Sequence, residues 1–264
     1  MYAASSREAL AQARTALDSA PKADTGDQLL AVARLVGGNR ELLGALTEAA
    51  VPPAQRGDVA RAVLKGKVSS DAADVVAAAA GGQWSTSSDL ASGIHDLGVE
   101  ALLRSASAAG DADTVEDELF RLGRTVANTP ELEQALSDRA RSPQDRAGLI
   151  GKLIAGKVNP VTERLAVDAI ERSEEKPADA LARLADTAAG IGGRRVAHVR
   201  SATELSDAQR SKLAKDLEAD IGSPVTLHVD IDPELLGGVV VRIGNEQIDG
   251  SVAGKFAAVR RGLR

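Results

Sequence analysis

The side chains able to do chemistry are few and far apart. The chain carries three histidines, His95, His198 and His228, and no cysteine. Imidazole is a metal ligand and an acid–base group that titrates near neutral pH. These three fall on three separate elements with no ligand spacing, and no thiolate joins them, so they read as ordinary surface or core residues. Gly190-Ile191-Gly192-Gly193-Arg194-Arg195 has the glycines of a phosphate loop. It lacks the Lys-Ser/Thr of a Walker loop and follows a helix rather than a strand, so a helix stop and hinge is the stronger reading. Gly37-Gly38-Asn39 reads as a helix stop too. The pairs Asp230/Asp232 and Glu174/Glu175 have the types of a general acid and base but sit at a strand end and in a loop, where solvated charges are common. Lys255, Arg260, Arg261 and Arg264 crowd the end of the chain. They either favour a helix C-terminus or form a basic patch for an acidic partner. This inventory assigns no catalytic, cofactor-binding or metal-ligating residue.

The elements that must hold these residues change character near residue 190. Beyond it, Val196, His198 and Arg200 alternate with Ala197 and Val199, which predicts a strand. Ser206 caps a helix to Ile221 with Leu213, Leu217 and Ile221 four apart, and Gly222 stops it. Val225, Leu227, Val229 and Ile231 alternate in a second, half-buried strand. Val239 to Ile243 is a β-branched run interrupted by Arg242, with a turn at Gly244-Asn245 and a short return arm at 246–248. Asp249-Gly250-Ser251 stops the strand. A last helix then places Val252, Phe256, Val259 and Leu263 on one face. The expected order is β-α-β-β-α.

Before residue 190 the pattern is helical, and it repeats. Residues 28–80 overlie 118–170 at an offset of ninety without a gap. Pro53, Arg56, Gly66, Lys67 and Val68 meet Pro143, Arg146, Gly156, Lys157 and Val158. Val59, Val63 and Leu64 meet Leu149, Leu153 and Ile154, which keeps the apolar face. Helices are predicted at 6–19, 26–37, 40–49, 54–65 and 70–80, then at 118–127, 130–139, 143–155, 160–172 and 178–190. Residues 86–109 read as one long helix that closes the first copy and opens the second, with Gly93 and Gly98 as weak points. Trp84, the only tryptophan, is expected to pack at its start. The fold class is mainly α with a small α+β C-terminal domain, in three parts: 1–85, 86–193 sharing the helix at 86–109, and 194–264.

Composition agrees. The hydrophobic fraction is 44% with only 2% aromatic residues, so Ala, Leu and Val make the core and favour thin helical bundles. A net charge of -6 argues against general nucleic-acid binding. No cysteine suits a reducing compartment. No apolar run is long enough for a membrane span, and Met1 to Glu8 lacks the apolar core of a signal peptide. A protein inside the cell is expected, reaching a membrane only through a partner.

Gly237-Gly238 before a hydrophobic strand, then Ile248-Asp249-Gly250-Ser251-Val252, then a short basic helix, resembles the C-terminal signature of the δ subunit of F-type ATP synthases, called OSCP in mitochondria. The resemblance implies a six-helix domain and a small mixed domain over about 86–264, preceded by an extra copy of the helical module, as in the long δ chains of actinobacteria. It implies a non-catalytic stator subunit without cofactors, on the cytoplasmic face of the cell membrane. The implied partners are the N-terminal segments of the α subunits and the C-terminal region of subunit b. Gly237, Gly238, Ile248, Asp249, Gly250 and Ser251 would then build the fold. Leu97, Leu102 and Leu103 would line the α groove, unless they are core leucines, and Lys255, Arg260 and Arg261 would face b. The alternative is a generic helical-repeat adaptor, which leaves the C-terminal signature unexplained.

Overall fold

The computed structural model describes residues 2–18, 23–172, 175–235, 237–244 and 246–249. It divides into two compact units, Met1–Ala112 and Asp113–Arg264.

The first unit is helical: α1 (Ala4–Leu17), α2 (Ala23–Gly38), α3 (Arg40–Thr47), α4 (Pro53–Leu64), α5 (Ser70–Gly81) and α6 (Ser87–Ala109). Local chemistry sets their ends. Pro53 occupies a first-turn position where no N–H is needed. Asn39, Ser69 and Thr86 each accept a hydrogen bond from a first-turn backbone N–H. The core joins Leu17, Leu29, Val36, Leu46, Val75, Leu90, Ile94 and Leu97. A polar seam ties α1 to the long helix: Tyr2 donates to Asp96 at 2.7 Å, Ser6 to Asp89 at 2.6 Å and Arg14 to Glu100 at 2.7 Å.

Gly93 and Gly98 are not the weak points the sequence suggests. α6 runs unbroken through both. A Cβ on Gly93 would stand 2.3 Å from the Trp84 ring, and one on Gly98 would stand 2.9 Å from Leu30. On α2, a Cβ at Gly26 would meet Leu102 at 2.7 Å. Gly26 and Gly98 let α2 and α6 cross closely and Gly93 makes room for the Trp84 ring, so their helix-propensity cost is offset by packing that larger residues would forbid.

The second unit contains α7 (Ala112–Ala127), α8 (Pro130–Ser137), α9 (Pro143–Ile154), α10 (Pro160–Arg172), α11 (Pro177–Ile191), β1 (Arg195–Ser201), α12 (Asp207–Ile221), β2 (Val225–Ile231), β3 (Val239–Ile243) and β4 (Glu246–Asp249). α7 begins six residues before the expected 118. Its opening turns carry Asp113, Glu116 and Asp117, which hide the apolar periodicity but suit a helix N-terminus. The sheet order is β2-β1-β3-β4, with β1 and β2 parallel and the other pairs antiparallel. The return arm at 246–248 is a strand, β4, paired along β3. Ser206 and Gln209 form a capping box at the start of α12. α12 covers one face of the sheet, where Leu217 packs with Ala197, Val199, Val225, Val229 and Val241. The last helix predicted, with Gly250, Ser251, Lys255, Arg260, Arg261 and Arg264, lies outside the described residues.

The repeat is visible as shared contacts. Gln28 Oε1 accepts from the backbone N of Ser69 at 2.8 Å, and Glu118 Oε2 accepts from that of Asn159 at 2.8 Å. Both pairs span 41 residues, and the second lies ninety residues after the first. Gly66 and Gly156 both turn at positive φ, 73° and 67°. The two arginines that match in sequence, Arg56 and Arg146, both serve carbonyls at the end of the short helix. Arg146 donates to Leu136 O at 3.3 Å. Arg56 is 4% exposed and donates to five carbonyls, those of Glu48, Val51, Ala80, Gly81 and Gly82, at 2.8–3.3 Å. One guanidinium thus satisfies acceptors at the ends of α3 and α5 that their helices leave unpaired.

Replacing Arg56 with Met strips several buried carbonyls of their donor at once. The expected loss is about 3 kcal/mol of stability, read as a lower urea midpoint. A midpoint within experimental error of the parent would show that water replaces the guanidinium.

Candidate functional site

The sheet's second face carries the chemistry. Alternation along β1 and β2 turns Ala197, Val199 and Val229 to α12 and places His198 and His228 on the opposite side. The parallel register sets His198 directly beside His228. α7 and α11 supply the groups that meet this face.

His228 is 1% exposed. Its ring stacks on Phe120 of α7, with centroids 4.0 Å apart and planes 16° from parallel. Its Nε2 lies 2.6 Å from Glu116 Oε1, also on α7. Its Nδ1 lies 3.3 Å from Asp186 Oδ1 on α11, close enough for an ion pair but poorly aligned for a hydrogen bond. Asp186 turns its other oxygen to His198 Nε2 at 3.1 Å. Arg194, just ahead of β1, reaches Glu116 at 3.2 Å and Asp113 at 2.6 Å. Arg124 on α7 pairs with Asp230 at the end of β2, at 3.4 Å.

Burial disfavours the charged form of His228, but the Asp186 and Glu116 carboxylates outweigh it and raise the pKa above the ordinary histidine value. Burial would likewise raise Asp186. His198 and His228 reverse this and hold it at about 2. The result favours an imidazolium between two carboxylates, and the contacts bind α7, α11, β1 and β2 together.

Sequence reading left the histidines unconnected because thirty residues and a helix separate them. A β-α-β unit drawn parallel, with strand starts aligned, would have paired His198 with His228. Nothing in the spacing pointed to Glu116 or Asp186. His95 lies apart on α6, in the first unit, beside Asp96.

The link at residues 190–195 is closed. Arg194 N donates to Ala189 O at 3.0 Å and Gly193 N to Gly190 O at 3.1 Å, and Gly193 takes φ 74°. This is the Schellman stop of α11. With Arg194 directed at Asp113 and Glu116, the segment is a pinned corner.

The remaining predicted residues divide. Gly237 and Gly238 adopt φ 124° and 81°, so glycine is required there. Ile248 pairs with Val241 and Asp249 with Val240. Ile248 stays exposed and borders a groove with Leu217, Ile221, Val241 and Ile243. Leu97, Leu102 and Leu103 are 0%, 0% and 3% exposed. Leu97 belongs to the first unit's core and Leu102 lies over Gly26. A partner would reach these two only by displacing core contacts.

Known proteins resemble the chain along its whole length. The family described as "ATP synthase delta (OSCP) subunit" matches residues 99–263. "ATP synthase subunit delta" of Rhodococcus opacus (strain B4) is 45% identical over 276 residues, covering 100% of this chain and 99% of that protein. The protein of the same name from Nocardia farcinica (strain IFM 10152) is 45% identical over 269 residues, covering 100% of both. The extra helical copy, 1–85, precedes the family match and is therefore shared with full-length relatives.

The His228 tie makes stability depend on pH in a stated direction. Its contribution is complete below the unfolded histidine pKa of about 6.5 and is lost as pH rises through the raised folded value. Asp186 contributes above its usual 3.8 and loses that contribution as pH falls toward about 2. Urea midpoints measured from pH 6 upward should fall, and His228→Gln should flatten that fall. An identical slope in the variant would show that the tie does not govern it.

Proposed function

The chain belongs to the ATP synthase delta (OSCP) subunit family, and we propose that it fixes the catalytic head to the stator through two separate attachments. As a member it is a peripheral-stalk subunit of ATP synthase. In the reading we propose, the helical modules hold amphipathic N-terminal segments of the α subunits, and the C-terminal domain holds the C-terminal region of subunit b. The chain performs no catalysis itself. It works at the cytoplasmic face of the cell membrane, reached through the complex. Among the described residues no helix is long and apolar enough to cross a membrane.

The observation that carries this reading is the tie across the second unit. A link that resists rotor torque must pass force from helices to sheet without yielding between them. Glu116 and Asp186 grip His228 while Arg194 grips Asp113 and Glu116, so the helical module and the sheet share one set of buried charges. Two further features suit the attachments. Leu35, Val59 and Leu153 expose apolar side chains on the helical modules, of the kind that receive a partner helix. The Ile248 groove gives the C-terminal domain an apolar surface of its own. The repeat supports treating 1–85 and 86–193 as two helical working parts and 194–264 as the third. Two attachments also raise the effective concentration at the second, so modest affinity at each suffices.

Calorimetric titration of the full chain with a peptide of the α N-terminus, and separately with a C-terminal b fragment, tests the assignment. Saturable binding of both, without competition, is expected. Two equivalents of α peptide would mean that both helical copies grip the head, and one would mean a single grip. Failure to bind either ligand would overturn the two-attachment reading.

A further inference from the structure

The cluster on the sheet has the parts of a metal site. Asp186, His198 and His228 each present a ligand atom, and these atoms lie within 4.8 Å of one another. We propose that this cluster binds a zinc-type divalent ion, with His198 Nε2, His228 Nδ1 and an Asp186 carboxylate oxygen as its protein ligands.

Four observations carry the assignment. The first is spacing. His198 Nε2 lies 3.1 Å from Asp186 Oδ2, and His228 Nδ1 lies 3.3 Å from Asp186 Oδ1. Zinc bonds of about 2.0–2.1 Å in tetrahedral array place neighbouring ligand atoms roughly 3.3 Å apart. The gaps go to the two oxygens of one carboxylate, so a turn of the part-exposed Asp186 side chain and a small approach of the two rings would complete a single shell.

The second is an unmet need. His228 is 1% exposed, yet its Nδ1 faces Asp186 Oδ1 at 3.3 Å as an ion pair without a well-aligned hydrogen bond. Buried polar atoms without partners are uncommon and call for an occupant. An ion between them would take the place of the Nδ1 proton and satisfy both atoms, so the metal-bound cluster and the imidazolium tie are alternative states of the same residues.

The third is the orientation of His228. Its other nitrogen meets Glu116 at 2.6 Å. A metal-bound histidine almost always gives its second nitrogen to a carboxylate or carbonyl, which fixes the ring and strengthens the ligand. Phe120 stacked on the ring locks the same orientation. Glu116 is therefore a positioning residue, held in turn by Arg194.

The fourth is access. The side chains of Asp186 and His198 are 38% and 28% exposed, so an ion can enter from solvent and keep water in its fourth position. Two imidazoles and one carboxylate suit zinc and its neighbours and disfavour magnesium and calcium, which take oxygen ligands. Because the ligands come from α11, β1 and β2, a bound ion would cross-link the corner at Gly193. This assignment does not rest on the stator reading.

The test uses tag-free full-length chain titrated with zinc by calorimetry, and with cobalt as a spectroscopic substitute. One equivalent is expected to bind, with a cobalt spectrum of four-coordinate nitrogen–oxygen type and a raised melting temperature. His198→Ala and Asp186→Asn should each weaken binding roughly tenfold or more. Both are partly exposed positions, and circular dichroism will show whether each variant is folded. His95→Ala, in the other unit, should bind as the parent does. The proposal is overturned by an absence of saturable binding, or by binding that folded His198→Ala and Asp186→Asn leave unchanged. Loss of binding in His95→Ala alone would also overturn it, by locating the ion elsewhere.

Discussion

The second unit depends on one constraint: a histidine side chain that is almost fully buried must have its charge answered on both sides. Stripping a cation of water costs several kcal/mol unless opposite charges stand close. Glu116 and Asp186 meet that demand from two helices, and Arg194 keeps the pair of carboxylates from being a surplus of negative charge. Such an arrangement adds less to net stability than an apolar core of the same size. Its value is that it accepts only one relative placement of α7, α11, β1 and β2. Apolar faces tolerate sliding by a fraction of a residue, whereas a hydrogen-bonded charge does not.

The first unit uses the same device with a different acceptor. Arg56 is buried, and its partners are four carbonyls at the ends of α3 and α5 and that of Val51 in the following loop, rather than carboxylates. The carbonyls carry the partial negative charge of the helix C-termini, so the cation needs no acidic partner to be stable inside the fold. The matched arginine of the second copy, Arg146, still reaches the end of its short helix. What the duplication kept is therefore a set of polar junctions. Gln28 with Ser69 in the first copy corresponds to Glu118 with Asn159 in the second, two differences of residue type with the same bond.

Helices and strands were legible because their apolar periodicities are strong and their caps carry Ser, Thr, Asn, Pro or Gly. The repeat was legible because Pro53, Arg56 and Gly66 serve backbone geometry that substitution would break. Three features were hidden for physical reasons. The first turns of α7 look like a loop because Glu116, which meets His228 and Arg194, occupies a buried-face position there. Gly93 and Gly98 look like weaknesses because a sequence shows the missing side chain but not the Trp84 or Leu30 that fills its place. The histidine cluster was hidden because parallel register, which no single element encodes, brings His198 and His228 together.

The Gly190–Gly193 stretch shows how composition can mislead about mechanics. Glycine lowers the cost of bending, so a run of them reads as a hinge. Here the freedom is spent once, on the left-handed turn at Gly193 that ends α11. After that turn the backbone bonds of the Schellman stop and the two ion pairs of Arg194 remove the remaining freedom. A short corner fixed at both sides transmits force better than a tether, because displacement of the sheet must break charge pairs at His228 and Arg194 together. For a stalk subunit, the compliance that glycine suggests is the property this corner suppresses. Gly193 is needed for its conformation, and its neighbours are held by what Arg194 and His228 reach.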